Sequence, residues 1–199
     1  MSRNAPQRLT RLAVSLLLFG PAMACSRAEE ERVDPTAPVM EDFTQRVDAY
    51  MKIRDSLAEA MGPLDETKSQ SEIAARTNTL ATTVANARAG AKQGDLFTPE
   101  AAAIFATLIK EEYRRRSDSV QETREDQVQE HELDGLPGFV PKVNEQYPTT
   151  YPLATFPPTL LPLLPKLPEK LEYRIHEHYL LIRDVEANLI VDFMPNAIP

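Results

Sequence analysis

Leu171-Glu172-Tyr173-Arg174-Ile175-His176-Glu177-His178-Tyr179-Leu180-Leu181-Ile182-Arg183-Asp184 and the run that follows it, Val185-Glu186-Ala187-Asn188-Leu189-Ile190-Val191-Asp192-Phe193, decide the fold. Folding the first stretch at Glu177-His178 as a two-residue turn puts Leu171, Tyr173 and Ile175 on one face with Leu180 and Ile182. The same register sets Glu172 opposite Arg183. A second turn over residues 185–188 brings Leu189, Val191 and Phe193 to that face. The two registers agree, so residues 171–199 read as a three-stranded antiparallel β-meander with one apolar side. The first turn lacks the Gly or Asn that tight hairpins favour, which leaves its length open. A three-stranded sheet needs cover on its apolar side, and only the upstream chain can supply it.

Immediately upstream, residues 137–168 hold nine of the chain's 17 prolines, which excludes helix or central strand over most of that length. Pro162, Pro165 and Pro168 repeat every three residues with Leu161, Leu164 and Leu167 in step, the period of polyproline II. Residues 135–170 therefore read as a proline-rich extended strap whose leucines pack on helices.

Three helices are expected before it. Phe43, Val47, Tyr50, Leu57 and Met61 recur at helical spacing, with Arg54 completing the row, and Gly62-Pro63 ends the run. Ser69-Gln70-Ser71-Glu72 has the form of a capping box, followed on one face by Ile73, Leu80, Val84 and Ala87. Thr98-Pro99-Glu100 opens a third helix through Ala101, Ile104, Phe105, Leu108, Ile109 and Tyr113. From about residue 114 to 133 the apolar stripe disappears, leaving a polar helical extension of the helical region 40–134. The fold class is α+β.

The 199 residues carry 22 basic and 30 acidic side chains, a net charge of −8, so no general positive field favours nucleic acid. At the N-terminus, Arg3, Arg8 and Arg11 precede the apolar run from Leu12 to Phe19, Gly20-Pro21 breaks it, and Ala22-Met23-Ala24 supplies small residues. Residues 1–24 read as a secretory signal peptide, too short in its apolar core to span a bilayer. The single cysteine, Cys25, follows Ala24 directly, where the lipidated cysteine of bacterial lipoproteins stands after cleavage. Ala22 occupies the place lipoboxes give to Leu, so the alternative is plain Ala-x-Ala cleavage leaving a free thiol. Cleavage removes three arginines and no acid, and residues 25–39 then form a flexible acidic tether.

Chemistry-bearing patterns are sparse. There is no Gly-x-Ser-x-Gly, no phosphate-cradling glycine loop and no His-Glu-x-x-His. His176 and His178 would share a face and could chelate a metal only if the strand ran straight through them. The hairpin instead puts His178 in the turn, and a solvent-facing role is expected for both. His131, between two glutamates, reads as a surface residue. The most distinctive polar loop is Ala91-Lys92-Gln93-Gly94-Asp95-Leu96-Phe97-Thr98-Pro99, read first as a helix-to-helix turn with Asp95 and Thr98 as caps. A ligand site between helices and strap would gather Lys92, Asp95, Tyr147 and Tyr151. No cofactor is implied.

That loop, with Tyr147-Pro148-Thr149-Thr150, the segment Pro152–Leu161, Leu171-Glu172-Tyr173-Arg174 and Ala187–Phe193, resembles a group of uncharacterised exported bacterial proteins seen in soil bacteria. The resemblance covers roughly residues 40–199. It implies an envelope protein and brings no activity or functional residues. The resulting expectation is a lipoprotein on the periplasmic side of the outer membrane, joined to the membrane through Cys25, with a non-enzymatic structural or protein-contact role and an envelope protein as possible partner. The alternative is a periplasmic ligand-binding protein or enzyme.

Overall fold

A computed structural model describes residues 34–63, 69–118, 138–151 and 156–198. The signal segment, Cys25, the tether up to residue 33 and the polar extension beyond residue 118 lie outside the described residues.

Three helices precede a three-stranded sheet: α1 (Ala37–Ala60), α2 (Gln70–Ala87), α3 (Pro99–Asp118), then a single 3-10 turn (Leu161–Leu163), β1 (Leu171–His176), β2 (Tyr179–Asp184) and β3 (Leu189–Met194). The sheet is antiparallel in the order β1-β2-β3. This is the expected α+β layout of helical region and C-terminal meander. Helix α1 starts at Ala37, inside the expected tether, because Pro38 falls in its first turn, where a missing N–H costs nothing. Ser69 caps α2 by accepting from Glu72 N–H, and Thr98 caps α3 by accepting from Ala101 N–H at 3.3 Å.

The apolar rows of the helices meet one face of the sheet. Phe43, Phe97 and Phe105 form an aromatic triangle with ring centroids 5.0–5.6 Å apart. Around it pack Val47, Tyr50, Leu80, Val84 and Ile109 from the helices and Leu171, Tyr173, Ile175, Leu180, Ile182 and Leu189 from the strands. Each fully buried side chain of this size contributes about 1.5–3 kcal/mol. Ile73, expected on the inner face of α2, is 45% exposed.

The first hairpin has the expected register: Tyr173 pairs with Ile182, Ile175 with Leu180, Glu172 with Arg183, and His176 with Tyr179 across Glu177-His178. Glu177 takes a φ of 49°, which replaces the missing turn glycine. The second hairpin departs from strict alternation. Ile182 pairs with Asp192 and Arg183 with Ile190, so Val191 is an extra residue, a β-bulge. Beyond it the parity of β3 reverses. Met194 takes the inner place opposite Leu180, while Phe193 pairs with Leu181 and turns to the outer face against Tyr179. Asp192 consequently points at the helices.

The outer face is not solvated either. Phe139, Tyr147 and Tyr151 cover Leu181 and Ile190 there. The segment 144–147 zips onto the free edge of β3: Asn144 N–H donates to Ile190 O at 2.9 Å, Ile190 N–H to Glu145 O at 2.8 Å, and Tyr147 N–H to Asn188 O at 2.8 Å. In the strap the polyproline period gives way at residues 161–163 to the 3-10 turn, held by Leu163 N–H donating to Leu160 O at 3.0 Å. Leu160 and Leu164 are therefore buried, and Leu161 is 52% exposed.

Candidate functional site

Asp192 is the hub of the inner face. The bulge aims its carboxylate into the loop between α2 and α3, where it accepts from Gly94 N–H at 2.9 Å, Leu96 N–H at 2.7 Å and Phe97 N–H at 2.8 Å. Gly94 reaches this geometry with a φ of 91°, a region that side chains resist. Burial raises the Asp192 pKa above the usual carboxylate value, and the backbone N–H groups only partly offset it. The bulge also leaves the Val191 carbonyl to Arg88, whose Nη2 donates to it at 3.1 Å. The Arg88 guanidinium lies 4.9 Å over the Tyr50 ring and also bonds Asn144 Oδ1 at 2.8 Å. Asp192 and Arg88 thus join sheet, loop and α2.

A second buried carboxylate, Asp184, ends β2 on the same face. It accepts from Tyr50 Oη at 2.8 Å, Arg54 Nε at 3.1 Å, Glu186 N–H at 3.0 Å and Ala187 N–H at 2.9 Å. Arg54 is fully buried and forks further to Asp55 and Glu186. Burial disfavours its charge, yet these three acids outweigh that and raise its pKa. Burial and the Asp184 charge push the Tyr50 hydroxyl far up as well, so it acts as a hydrogen-bond donor. Beside this network lies a cleft of about 440 Å³ lined by Arg54, Asp55, Glu59, Arg76, Lys170 and Glu186, with equal numbers of cations and acids.

His176 stands on the outer face, 2% exposed, contrary to the solvent-facing role expected for it. Phe139, Tyr147 and Tyr151 surround its ring at centroid distances of 5.1, 6.1 and 5.0 Å, all edge-on. Its Nδ1 lies 3.4 Å from Tyr147 Oη, while Nε2 and Tyr151 Oη are buried without a hydrogen-bond partner among the described residues. Burial lowers the His176 pKa below the ordinary 6.5, and Glu177, with Oε1 3.8 Å from Nε2, pulls the other way. The folded state therefore keeps the ring neutral where the unfolded chain protonates it. The expected result is a loss of stability as pH falls below about 6.5, at up to ~1.4 kcal/mol per pH unit. Urea unfolding between pH 5 and 7.5 checks this: the His176→Phe protein should lack that part of the slope, and identical slopes would contradict the argument.

The four residues proposed to gather a ligand separate into two pairs. Lys92 and Asp95 belong to the inner-face loop, where Asp95 Oδ2 accepts from Lys92 N–H at 2.9 Å and Asp95 O accepts from Arg46. Tyr147 and Tyr151 are on the opposite face of the sheet, in the His176 box. Asp95 closes its own turn instead of capping α3. His178 sits exposed in the turn, its Nδ1 3.3 Å from Ile198 O. Among the described residues no group of three His, Cys, Asp or Glu could hold a metal. Sequence reasoning passed over Asp184, Asp192 and the aromatic box.

A further concave feature is apolar. A groove of about 760 Å³ runs between the strap and β1, lined by Phe156, Leu161, Leu164, Leu167, Leu171 and Tyr173 among others. A smaller cleft of about 250 Å³ separates α1, at Phe43 and Val47, from Leu167 and Pro168. No helix among the described residues is long and apolar enough to cross a membrane. No family model, no curated protein and no solved structure matches the chain.

Proposed function

We propose that the protein is an exported bacterial envelope lipoprotein, anchored through Cys25, whose folded body makes protein contacts and carries out no catalysis. The observation that carries this reading is the lone cysteine placed directly after Ala22-Met23-Ala24, behind a basic segment and a short apolar run. The resemblance to exported bacterial proteins supports it. The buried charges support the non-catalytic part: Asp184 and Asp192 are both engaged by internal donors and hold elements together, and neither is presented to a substrate. An acidic body cannot be drawn to anionic lipid by charge, so attachment falls to the acyl chains.

The test is the intact mass of the protein recovered from membranes, set beside a Cys25→Ala variant. A diacylglyceryl adduct on Cys25, with the variant released to the soluble fraction, is the expected result. Unmodified Cys25 in a soluble protein would discard the anchor. The periplasmic ligand-binding reading would then lead, and the groove beside the strap favours it over the dispersed set of Lys92, Asp95, Tyr147 and Tyr151.

A further inference from the structure

We propose that the groove between the strap and β1 receives an extended peptide segment of a partner protein, which adds to the open edge of β1 as a fourth strand. The inference rests on the protein-contact reading above and names the surface and the partner's chemistry.

Four consecutive residues, Leu171, Glu172, Tyr173 and Arg174, line the groove. Alternate residues of a strand point to opposite faces, so a cavity touching four in a row lies along the strand's edge. The phase of the ladder then says which main-chain groups face it. Val185 N–H donates to Lys170 O at 2.9 Å, one step beyond the Leu171–Asp184 pair. In an antiparallel ladder bonded pairs alternate, so Glu172, Arg174 and His176 bond to β2, and Leu171, Tyr173 and Ile175 turn their N–H and C=O groups outward. Leu171 N–H is taken by Pro168 O at 2.9 Å. The Tyr173 and Ile175 groups have no main-chain partner among the described residues.

The strap cannot complete the ladder itself, because Pro162, Pro165 and Pro168 lack N–H groups. It stands off as the far wall, tied to β1 by Tyr173 Oη donating to Pro165 O at 2.9 Å. The contrast with the other edge is direct, since residues 144–147 already cover β3. Main-chain donors and acceptors in a row recognise another extended backbone, and the leucines of the wall accept apolar side chains at alternate positions. Lys166 lines the groove without an ion-pair partner among the described residues, while Glu172 is shared between Arg174 at 2.7 Å and Arg183 at 2.5 Å. The rim thus carries a net positive charge, which suits an acidic residue flanking the apolar positions.

The test presents the purified full chain with a displayed library of random heptapeptides and, separately, with palmitate. The expected result is enrichment of peptides with alternating apolar residues and an acid. Their affinity should fall at least tenfold on N-methylation of alternate peptide amides and at least tenfold in the Leu161→Glu protein, a substitution at an exposed groove position that leaves the core intact. Lys166→Glu should remove the acid from the selected consensus. No enrichment, or enriched peptides indifferent to both N-methylation and Leu161→Glu, overturns the proposal. Palmitate binding with no peptide selected also overturns it and makes the groove an acyl-chain site. Cys25 anchoring read by mass is independent of this experiment, so a failed selection beside a lipidated Cys25 sinks the groove proposal and leaves the envelope reading standing.

Discussion

Replacing Asp192 with alanine is expected to cost about 3–5 kcal/mol of folding stability, the scale for stripping the charged partner from buried donors. Three loop N–H groups, from Gly94, Leu96 and Phe97, lose their acceptor at once. Leu96 and Phe97 are themselves buried, so water cannot readily replace the carboxylate. For a chain of this size the loss corresponds to a fall in melting temperature of about 6–20 °C. The protein has no tryptophan, so urea unfolding followed by far-ultraviolet circular dichroism is the practical measurement. Amide exchange at Leu96 and Phe97 should accelerate in the variant. A loss under about 1 kcal/mol would mean that the loop keeps its shape without Asp192, and the clamp would have to be abandoned.

Asp184→Ala should be of comparable size. It orphans the Tyr50 hydroxyl, Arg54 Nε and the N–H groups of Glu186 and Ala187 together, at about 3–5 kcal/mol. Arg54→Met is expected to cost less, because Asp184 retains three of its four donors. The informative measurement is the double variant. If Arg54 and Asp184 act as one buried pair, the combined loss falls short of the sum of the single losses by about 1–3 kcal/mol. Strict additivity would show that the two charges are stabilised separately, Arg54 by Asp55 and Glu186 and Asp184 by the turn that follows it.

Much of this architecture is legible in the residues. The first hairpin follows from alternation in Leu171–Ile175 ahead of the Glu177-His178 turn, and helix starts follow from Ser69 and Thr98, because both depend on neighbours a few residues away. Arg54 in an otherwise apolar row already signals a buried cation, although its acids come from 130 and 132 residues downstream. What alternation misses is the second face of the sheet. Tyr179-Leu180-Leu181-Ile182 and Leu189-Ile190-Val191 do not alternate, and an unbroken apolar run means cover on both sides. That pattern is the available signal that Asp192 could not face water in either direction, and that His176 and the tyrosines of residues 147 and 151 would meet. The bulge itself has no local sequence mark. It is set by the pull of three distant N–H groups on one carboxylate, a tertiary cause that a strand's own residues do not carry. The strap fails differently, since Pro at the start of a 3-10 turn is as acceptable as Pro in polyproline II, and burial of Leu160 and Leu164 decides between them.

The bulge at Val191 lets β3 carry one residue more than its pairing with β2 uses. Val191 acts as a spacer: removing it would leave the apolar composition of the strand almost unchanged. The shortened strand would run in unbroken alternation with β2 and keep every pair, Asp192 against Ile182, Ile190 against Arg183 and Leu189 against Asp184, while losing the inward Val191 side chain and the carbonyl that Arg88 donates to. Deleting Val191 should therefore be better tolerated than deleting Phe193, which would turn Met194 to the outer place opposite Leu181. In a set of diverged sequences the mark of this device would be a spacing from Asn188 to the buried aspartate that varies by one residue, while the spacing from Asp192 to Met194 stays constant.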